Sequence, residues 1–244
     1  MFTGLIEEVG SLKTVEIDSS GAMISVQAQK VLNNLSIGDS IAIDGACMTV
    51  TAIADGTFSF VVSPESLDKT HFSTFQPQKT VNLERPLTPT SRIGGHYVTG
   101  HIDGLIQLSE RFTDGNCERF TLTLPNADWL GLIIPKGSVA ILGVSLTVNW
   151  VEGNQFSVAV IPHTLANTTL NTYHPGDMLP FEGDMLGKYV QRFLALSAQP
   201  DPEMLVNDPA LRPAFEALQP GAKSGLKANA PKSRIHSGGW FNFE

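Results

Sequence analysis

The sequence predicts an all-β chain of two tandem small antiparallel barrels, followed by one amphipathic helix and a tail, and three observations predict it. The first is internal repetition. Gly45-Ala46-Cys47-Met48-Thr49-Val50 returns as Gly143-Val144-Ser145-Leu146-Thr147-Val148, and Ser40-Ile41-Ala42-Ile43 as Ser138-Val139-Ala140-Ile141, each 98 residues on. Ser63-Pro64-Glu65-Ser66-Leu67 pairs with Ile161-Pro162-His163-Thr164-Leu165 at the same offset, and Thr3-Gly4-Leu5-Ile6 pairs with Thr99-Gly100-His101-Ile102 at an offset of 96. A period this long exceeds the roughly 20 to 50 residues of solenoid repeats, so each copy is large enough to own a core. The second observation is a series of short strand-like runs punctuated by glycine; the third is a change to helical periodicity after the second copy.

In the first copy, residues 23–28, 40–43, 47–53 and 58–62 are β-branched or aromatic, often alternate in polarity, and are separated by Gly21, Gly38, Gly45 and Gly56. The second copy repeats the design at 119–124, 138–141, 146–150 and 156–160. Short strands at turn-spaced intervals make a barrel or a sandwich, and each half is read here as one barrel. Two similar barrels imply two similar pockets. Beyond them, Met185, Leu186, Tyr189, Val190, Phe193, Leu194 and Leu196 fall on one broad helical face, with Asp184 placed to cap the helix and Lys188, Gln191 and Arg192 opposite. That stripe must be covered, either by its own barrel or by another chain, and periodicity does not choose between them. The expected segments are residues 1–97, 98–183, a helix at 184–197, and a Pro/Ala/Gly-rich tail at 198–244 expected to be mostly flexible.

Composition narrows the function. The 244 residues are 42% hydrophobic, with no apolar run near the ~18 residues that span a bilayer, so no membrane association is expected. The start, Met1-Phe2-Thr3-Gly4-Leu5-Ile6-Glu7-Glu8, lacks the basic n-region and apolar stretch of a secretory leader, which predicts a cytoplasmic location. A net charge of -8 opposes attraction to phosphate backbones, excluding nucleic acid and favouring a small neutral ligand. Cys47 and Cys117 occupy non-equivalent positions, which argues against a disulfide framework, and His96, His101 and His163 lack close thiol or carboxylate support, so no metal is expected.

The motifs Met1-Phe2-Thr3-Gly4-Leu5-Ile6, Gly94-Gly95-His96-Tyr97-Val98-Thr99-Gly100-His101-Ile102-Asp103-Gly104, Gly143-Val144-Ser145-Leu146-Thr147-Val148 and Ile161-Pro162-His163-Thr164-Leu165 stand together in this order. In them the chain resembles the riboflavin synthase family, from Met1 to about Leu196. The resemblance implies two closed six-stranded antiparallel barrels, a C-terminal trimerisation helix, a homotrimer, and lumazine synthase as a further partner. It also implies a reaction, without metal or redox cofactor, in which two molecules of 6,7-dimethyl-8-ribityllumazine exchange a four-carbon unit to give riboflavin and 5-amino-6-(D-ribitylamino)uracil. One substrate used twice suits duplicated pockets, because holding two flat rings face to face can supply effective molarities of ~10⁵ M.

Carried over position by position, the resemblance implies Cys47 as the reactive thiol and His101 as a proton-transfer group, with Ser40, Asp184, Ser145 and Thr147 also in catalytic positions. For substrate contact it implies Gly4, Leu5 and Ile6, then Cys47, Met48 and Thr49, then Val61, Val62, Ser63, Pro64, Glu65 and Ser66 in the first barrel. In the second it implies Gly100, His101 and Ile102, Lys136, Ser145, Leu146 and Thr147, and Ala159, Val160, Ile161, Pro162, His163 and Thr164. Each has a plainer reading: Cys47 as a small buried hydrophobe, Thr49 and Thr147 as ordinary strand residues, Gly4 and Gly100 as turn formers.

Two departures from the family pattern fall in the second half. Leu142 stands where an Asp usually precedes the Gly143 motif, although Asp44 keeps the acid in the first, and Leu179-Pro180-Phe181-Glu182-Gly183 replaces a Val-Asn-Ile-Glu-type strand. They give footing to an alternative, a non-catalytic lumazine- or flavin-binding paralogue, against which stands the presence of Cys47, His101 and Lys136. A flavin-reductase barrel lacks support, since no Gly-rich phosphate loop with a dinucleotide fold is present.

Overall fold

Twelve strands, among the described residues, close into two barrels of one topology. The structure is a computed structural model that describes residues 1–198, so the expected tail beyond residue 198 lies outside the described residues. The chain divides into a unit Met1–Leu194, which holds both barrels, and a unit starting at Ala195, of which only the end of the last helix is described. The first barrel comprises β1 (Glu8–Asp18), β2 (Gly21–Gln27), β3 (Ser40–Ile43), β4 (Ala46–Ala54), β5 (Thr57–Val62) and β6 (Thr80–Glu84), hydrogen-bonded in the order β1-β2-β5-β4-β3-β6. The second comprises β7 (Gly104–Asp114), β8 (Cys117–Thr123), β9 (Ser138–Ile141), β10 (Val144–Glu152), β11 (Gln155–Val160) and β12 (Met178–Gly183), in the matching order β7-β8-β11-β10-β9-β12. All pairings are antiparallel.

Alternation decides which side chains fill each barrel. Ile24, Val26, Phe58 and Phe60 point inward and are fully buried, whereas Met23 and Val61, one step out of phase, are exposed. The register slips at Leu12/Thr14 in β1 and Val50/Ala52 in β4, and slips again at Leu108/Glu110 and Val148/Trp150 in the second barrel. Such bulges sharpen the local twist that a small closed barrel needs, and their duplication shows that the repeat extends to backbone irregularities. A short helix follows each fifth strand: α1 (Pro64–Lys69) and α2 (Pro162–Asn167), each with proline in its first turn.

The barrels meet about an approximate two-fold axis, because equivalent residues touch each other. Phe2 and Val98, 96 apart in sequence, exchange backbone hydrogen bonds of 2.7 and 3.1 Å. Gly45 and Gly143 approach so closely that a Cβ on either would lie 2.7 Å from the other's nitrogen, and both have positive φ, +89° and +77°. Only glycine fits there. Phe2, Ala42, Val98 and Ala140 form a small apolar cluster at the junction, with Cys47 packed against it.

Asn82 adds a polar tie, its Nδ2 donating to the Leu142 carbonyl at 2.9 Å and its Oδ1 accepting from the Thr169 amide at 2.7 Å. Buried Asp44 organises that strand: one oxygen accepts from the Asn82 amide at 2.8 Å and the other meets His71 Nε2 at 3.0 Å. The second barrel has no such acid. Leu142 is fully buried at a φ of +52° where Asp44 has +46°, and Pro180 occupies the position of Asn82. Proline brings no N–H to satisfy, so the two departures seen in the sequence are one coupled replacement. Thr169, equivalent to His71, keeps the trace of the lost partner in a buried Oγ1 without a hydrogen bond.

The last helix, α3 (Met185–Ala198), starts where expected: Asp184 Oδ1 accepts the Leu186 amide at 2.9 Å. Its barrel-facing side is polar or small. Lys188 pairs with Asp103 at 2.8 Å, Gln191 Nε2 donates to the Asp128 carbonyl at 2.8 Å, and Gly187 lies against Leu132. The apolar side faces outward, with Leu186, Tyr189 and Val190 at 68%, 70% and 56% exposure. Its own barrel therefore does not cover that stripe. No helix of the described residues is long and apolar enough to cross a membrane.

Candidate active site

Two buried glutamates start the site. Glu84, at the end of β6, accepts from the Thr3 amide at 2.6 Å and its hydroxyl at 2.7 Å through one oxygen, and from the Gly4 amide at 3.0 Å through the other. Glu182, at the end of β12, repeats this with the Thr99 amide (2.8 Å) and hydroxyl (2.6 Å) and the Gly100 amide (2.9 Å). Burial pushes the Glu84 carboxyl above its ordinary value, against the opposing pull of the Thr3 and Gly4 hydrogen bonds.

Held this way, each segment crosses to the other barrel. The Gly4 carbonyl accepts the Ser145 amide at 2.8 Å, and the Gly100 carbonyl accepts the Cys47 amide at 2.9 Å. Sequence order groups Gly4-Leu5-Ile6 with Cys47 and Gly100-His101-Ile102 with Ser145; the structure exchanges them. A Cβ on Gly100 would lie 2.5 Å from Cys47 Cβ, and one on Gly4 2.6 Å from Ser145 Cβ, which explains both glycines by close approach as well as by positive φ.

On the first barrel this exchange brackets a cavity of about 300 Å³. Seven of the expected residues line it: Cys47, Met48, Glu65, Ser66, Gly100, His101 and Ile102. Lys69 and Thr70 join them and were not anticipated. Cross-strand pairing puts Ser40 opposite Thr49 and Ala42 opposite Cys47, so Ser40, Cys47 and Thr49 share the outer face of the barrel. Ser63 caps α1, its Oγ accepting the Ser66 amide at 3.2 Å, with Pro64 next in the helix. Val61 is exposed beside them, whereas the Val62 side chain points into the core.

Around Ser145 the equivalent strand positions keep the same orientation. Thr147 is exposed opposite Ser138, Leu146 is buried, Val160 points into the core, and Ala159 is partly covered. Ile161 opens α2 without a side-chain cap, followed by Pro162, His163 and Thr164. Ser145 Oγ lies 2.7 Å from His96 Nδ1. Burial holds the His96 ring below the ordinary imidazole value, the Asp184 carboxylate pulling the other way, so the ring favours its neutral form and Nδ1 can accept the Ser145 proton. Gly95 lets the linker approach: a Cβ there would meet Thr3 O at 2.2 Å and Ser145 Oγ at 2.8 Å. Lys136 is apart from this, exposed in a turn at φ +66° with its amide on the Val148 carbonyl.

Sequence reasoning missed His96 as a partner of Ser145, although Gly94-Gly95 before it was a legible signal for a chain passing close to something. Duplication therefore yields like scaffolds with unlike chemistry. Cys47 answers to Ser145, His101 to Leu5, Glu65 to His163 and Lys69 to Asn167, at the offsets of 98 and 96.

Comparison with known proteins agrees with this duplication. The family model of the lumazine binding domain matches twice, at residues 3–86 and 99–184. The chain is 37% identical over 204 residues to the riboflavin synthase of Actinobacillus pleuropneumoniae, covering 83% of this chain and 94% of that one. It is 36% identical over 196 residues to the riboflavin synthase of Schizosaccharomyces pombe, covering 80% and 94%. Among solved structures, LumP complexed with riboflavin superposes with a TM-score of 0.70 at 20% identity, over 75% of this chain and 99% of that one, which bears on the fold.

Proposed function

The chain belongs to the riboflavin synthase family, and from that premise we propose how its two unlike sites divide one reaction. It is an enzyme that converts two molecules of 6,7-dimethyl-8-ribityllumazine into riboflavin and 5-amino-6-(D-ribitylamino)uracil. Two identical substrates must take opposite parts, one giving up a four-carbon unit and one receiving it. The observation that carries our reading is that Cys47, beside His101, and Ser145, beside His96, stand at equivalent positions of the two barrels.

In this reading the first-barrel pocket holds one lumazine against Cys47, whose thiol adds to ring carbon C7 and is expelled again as thiol when the four-carbon unit leaves, with His101 taking and returning its proton at the rim. The second site holds the other lumazine against Ser145, whose Oγ takes a proton from the 7-methyl group as it passes its own to Nδ1 of His96, kept neutral by burial. Ser40, Thr49 and Thr147 share the outer faces with these groups and are proposed to contact the rings; the loops at 61–66 and 159–164 are proposed to hold the ribityl chains. Asp184 is assigned to steady His96 electrostatically. No metal or redox cofactor takes part in the proposal.

The proposed domains are 1–97 and 98–183, with 184–197 as the assembly helix. The outward apolar side of α3 supports a homotrimer, in which the first barrel of one chain faces the second of its neighbour. The free Cys47 and Cys117 support a reducing, cytoplasmic setting. Lumazine synthase is proposed as a partner on the family resemblance alone. Incubating the purified chain with 6,7-dimethyl-8-ribityllumazine should raise riboflavin fluorescence without added metal or nucleotide. Stoichiometric binding with no product would instead identify a binding paralogue.

A further inference from the structure

We propose that Glu182 and Glu84 are positioning residues that act across the barrel boundary: Glu182, in the second barrel, sets the segment that completes the first barrel's pocket, and Glu84 does the reverse. The proposal rests on reading the cavity beside Cys47 and the site beside Ser145 as lumazine and flavin sites.

Glu182 is 1% exposed and Glu84 4%, so neither carboxylate is reachable by solvent or ligand. Burying a carboxylate is costly unless donors surround it, and the donors here all come from the crossing segments. Thr99 and Gly100 place two successive amides on Glu182, while Thr99 Oγ1 donates to Glu182 and accepts the His101 amide at 3.3 Å. Three consecutive N–H groups are thereby fixed. The Gly100 carbonyl is left to accept the Cys47 amide, and His101 emerges at the cavity rim with its own carbonyl 3.5 Å from Lys188 Nζ. Thr3 repeats the device toward Glu84, its hydroxyl accepting the Leu5 amide at 3.2 Å, and Gly4 then meets Ser145. Contacts as close as Gly100 on Cys47 leave no slack, so a small shift of either segment deforms the opposite pocket.

Glutamine in place of either glutamate keeps the volume but presents N–H₂ where one oxygen accepted, so one amide of the segment loses its partner. The expected loss is about tenfold in ligand affinity, confined to the opposite pocket. The chain has two cysteines, and Cys117→Ser leaves Cys47 as the sole thiol reporting on the first pocket. Iodoacetamide labelling of Cys47 should be slowed by riboflavin in this background. Adding Glu182→Gln should raise the half-protecting riboflavin concentration about tenfold, while adding Glu84→Gln should leave it within about twofold. A mirrored background, Cys47→Ser with Ser145→Cys and Cys117→Ser, moves the thiol to the second pocket and should reverse the two responses. Thr99→Val, which removes one hydroxyl, tests the first pocket if Glu182→Gln fails to fold by circular dichroism. Equal shifts from both glutamate variants in either background, or no shift from Glu182→Gln or Thr99→Val, would overturn the proposal. An unsubstituted Cys47 that riboflavin does not protect would overturn the pocket reading itself, and the proposal with it.

Discussion

Leu142 donates its amide to the Pro180 carbonyl at 2.9 Å, in the place where Asp44 donates to Asn82 at 2.9 Å in the first barrel. Both side chains differ between the two barrels while the backbone bond is the same. Leu142→Asp alone puts a carboxylate in a fully buried position and should cost about 3 kcal/mol or more. Pro180→Asn alone adds an N–H without an acceptor, costing about 1–3 kcal/mol. The double variant puts back the contact between carboxylate and Asn amide of the first barrel, without its histidine, and should recover about 1–3 kcal/mol relative to the sum. Urea unfolding of the four proteins measures this, and simple additivity would refute it.

Gly45→Ala should be far more damaging than Gly56→Ala. Both glycines have positive φ, +89° and +74°, but a Cβ at Gly45 would sit 2.7 Å from Gly143 N, whereas Gly56 has nothing within 4 Å. The left-handed conformation costs about 1–2 kcal/mol at either position, and the clash adds about 1–3 kcal/mol at Gly45 only. Denaturant midpoints of the two variants give the difference directly.

His96→Gln should lower turnover about 10²-fold or more if the ring moves a proton. The pH profile carries a separate signature. Because burial depresses the folded value below the ordinary 6.5, the acid limb of activity should fall below that pH. The stability sign is the same: the unfolded chain protonates this ring first, so stability is lost as pH drops from 6.5 through the depressed folded value. His96→Gln should flatten both dependences.

Cys47→Ser and His101→Gln should reduce turnover much more than lumazine affinity, which stopped-flow kinetics and fluorescence titration separate. Turnover unchanged in both variants would remove the thiol and the imidazole from the chemistry.

If α3 assembles the proposed homotrimer, Leu186→Asp combined with Tyr189→Asp should leave single chains by light scattering where the unsubstituted protein has the mass of three. Their side chains are 68% and 70% exposed, so the barrels should keep their circular dichroism. A mass that does not change would dismiss α3 as the assembly surface.

The sequence made the inner strands of each barrel readable because their alternation is clean: residues 40–43 coincide with β3 and 138–141 with β9. The outer ones were harder for physical reasons. β1 and β7 run 11 residues each into charged, solvated ends, and β6 buries Asn82 and Glu84 where period-two reading expects apolar side chains. β12 contains Pro180, a strand breaker tolerated here because Leu142 asks nothing of its nitrogen. Of the site, the residues on one barrel face were legible from repetition. The crossing of Gly4 and Gly100, and the meeting of His96 with Ser145, depend on how two halves dock, and no local pattern encodes that.

Because the lead-in residues trade sides after Phe2 meets Val98, neither half of the gene specifies the whole cavity beside Cys47. Hybrids that splice the first half of one homologue to the second half of another would therefore build that cavity from two parents, the floor inherited from one and the rim from the other. Compatibility between parents, more than the quality of either, would govern whether such hybrids work.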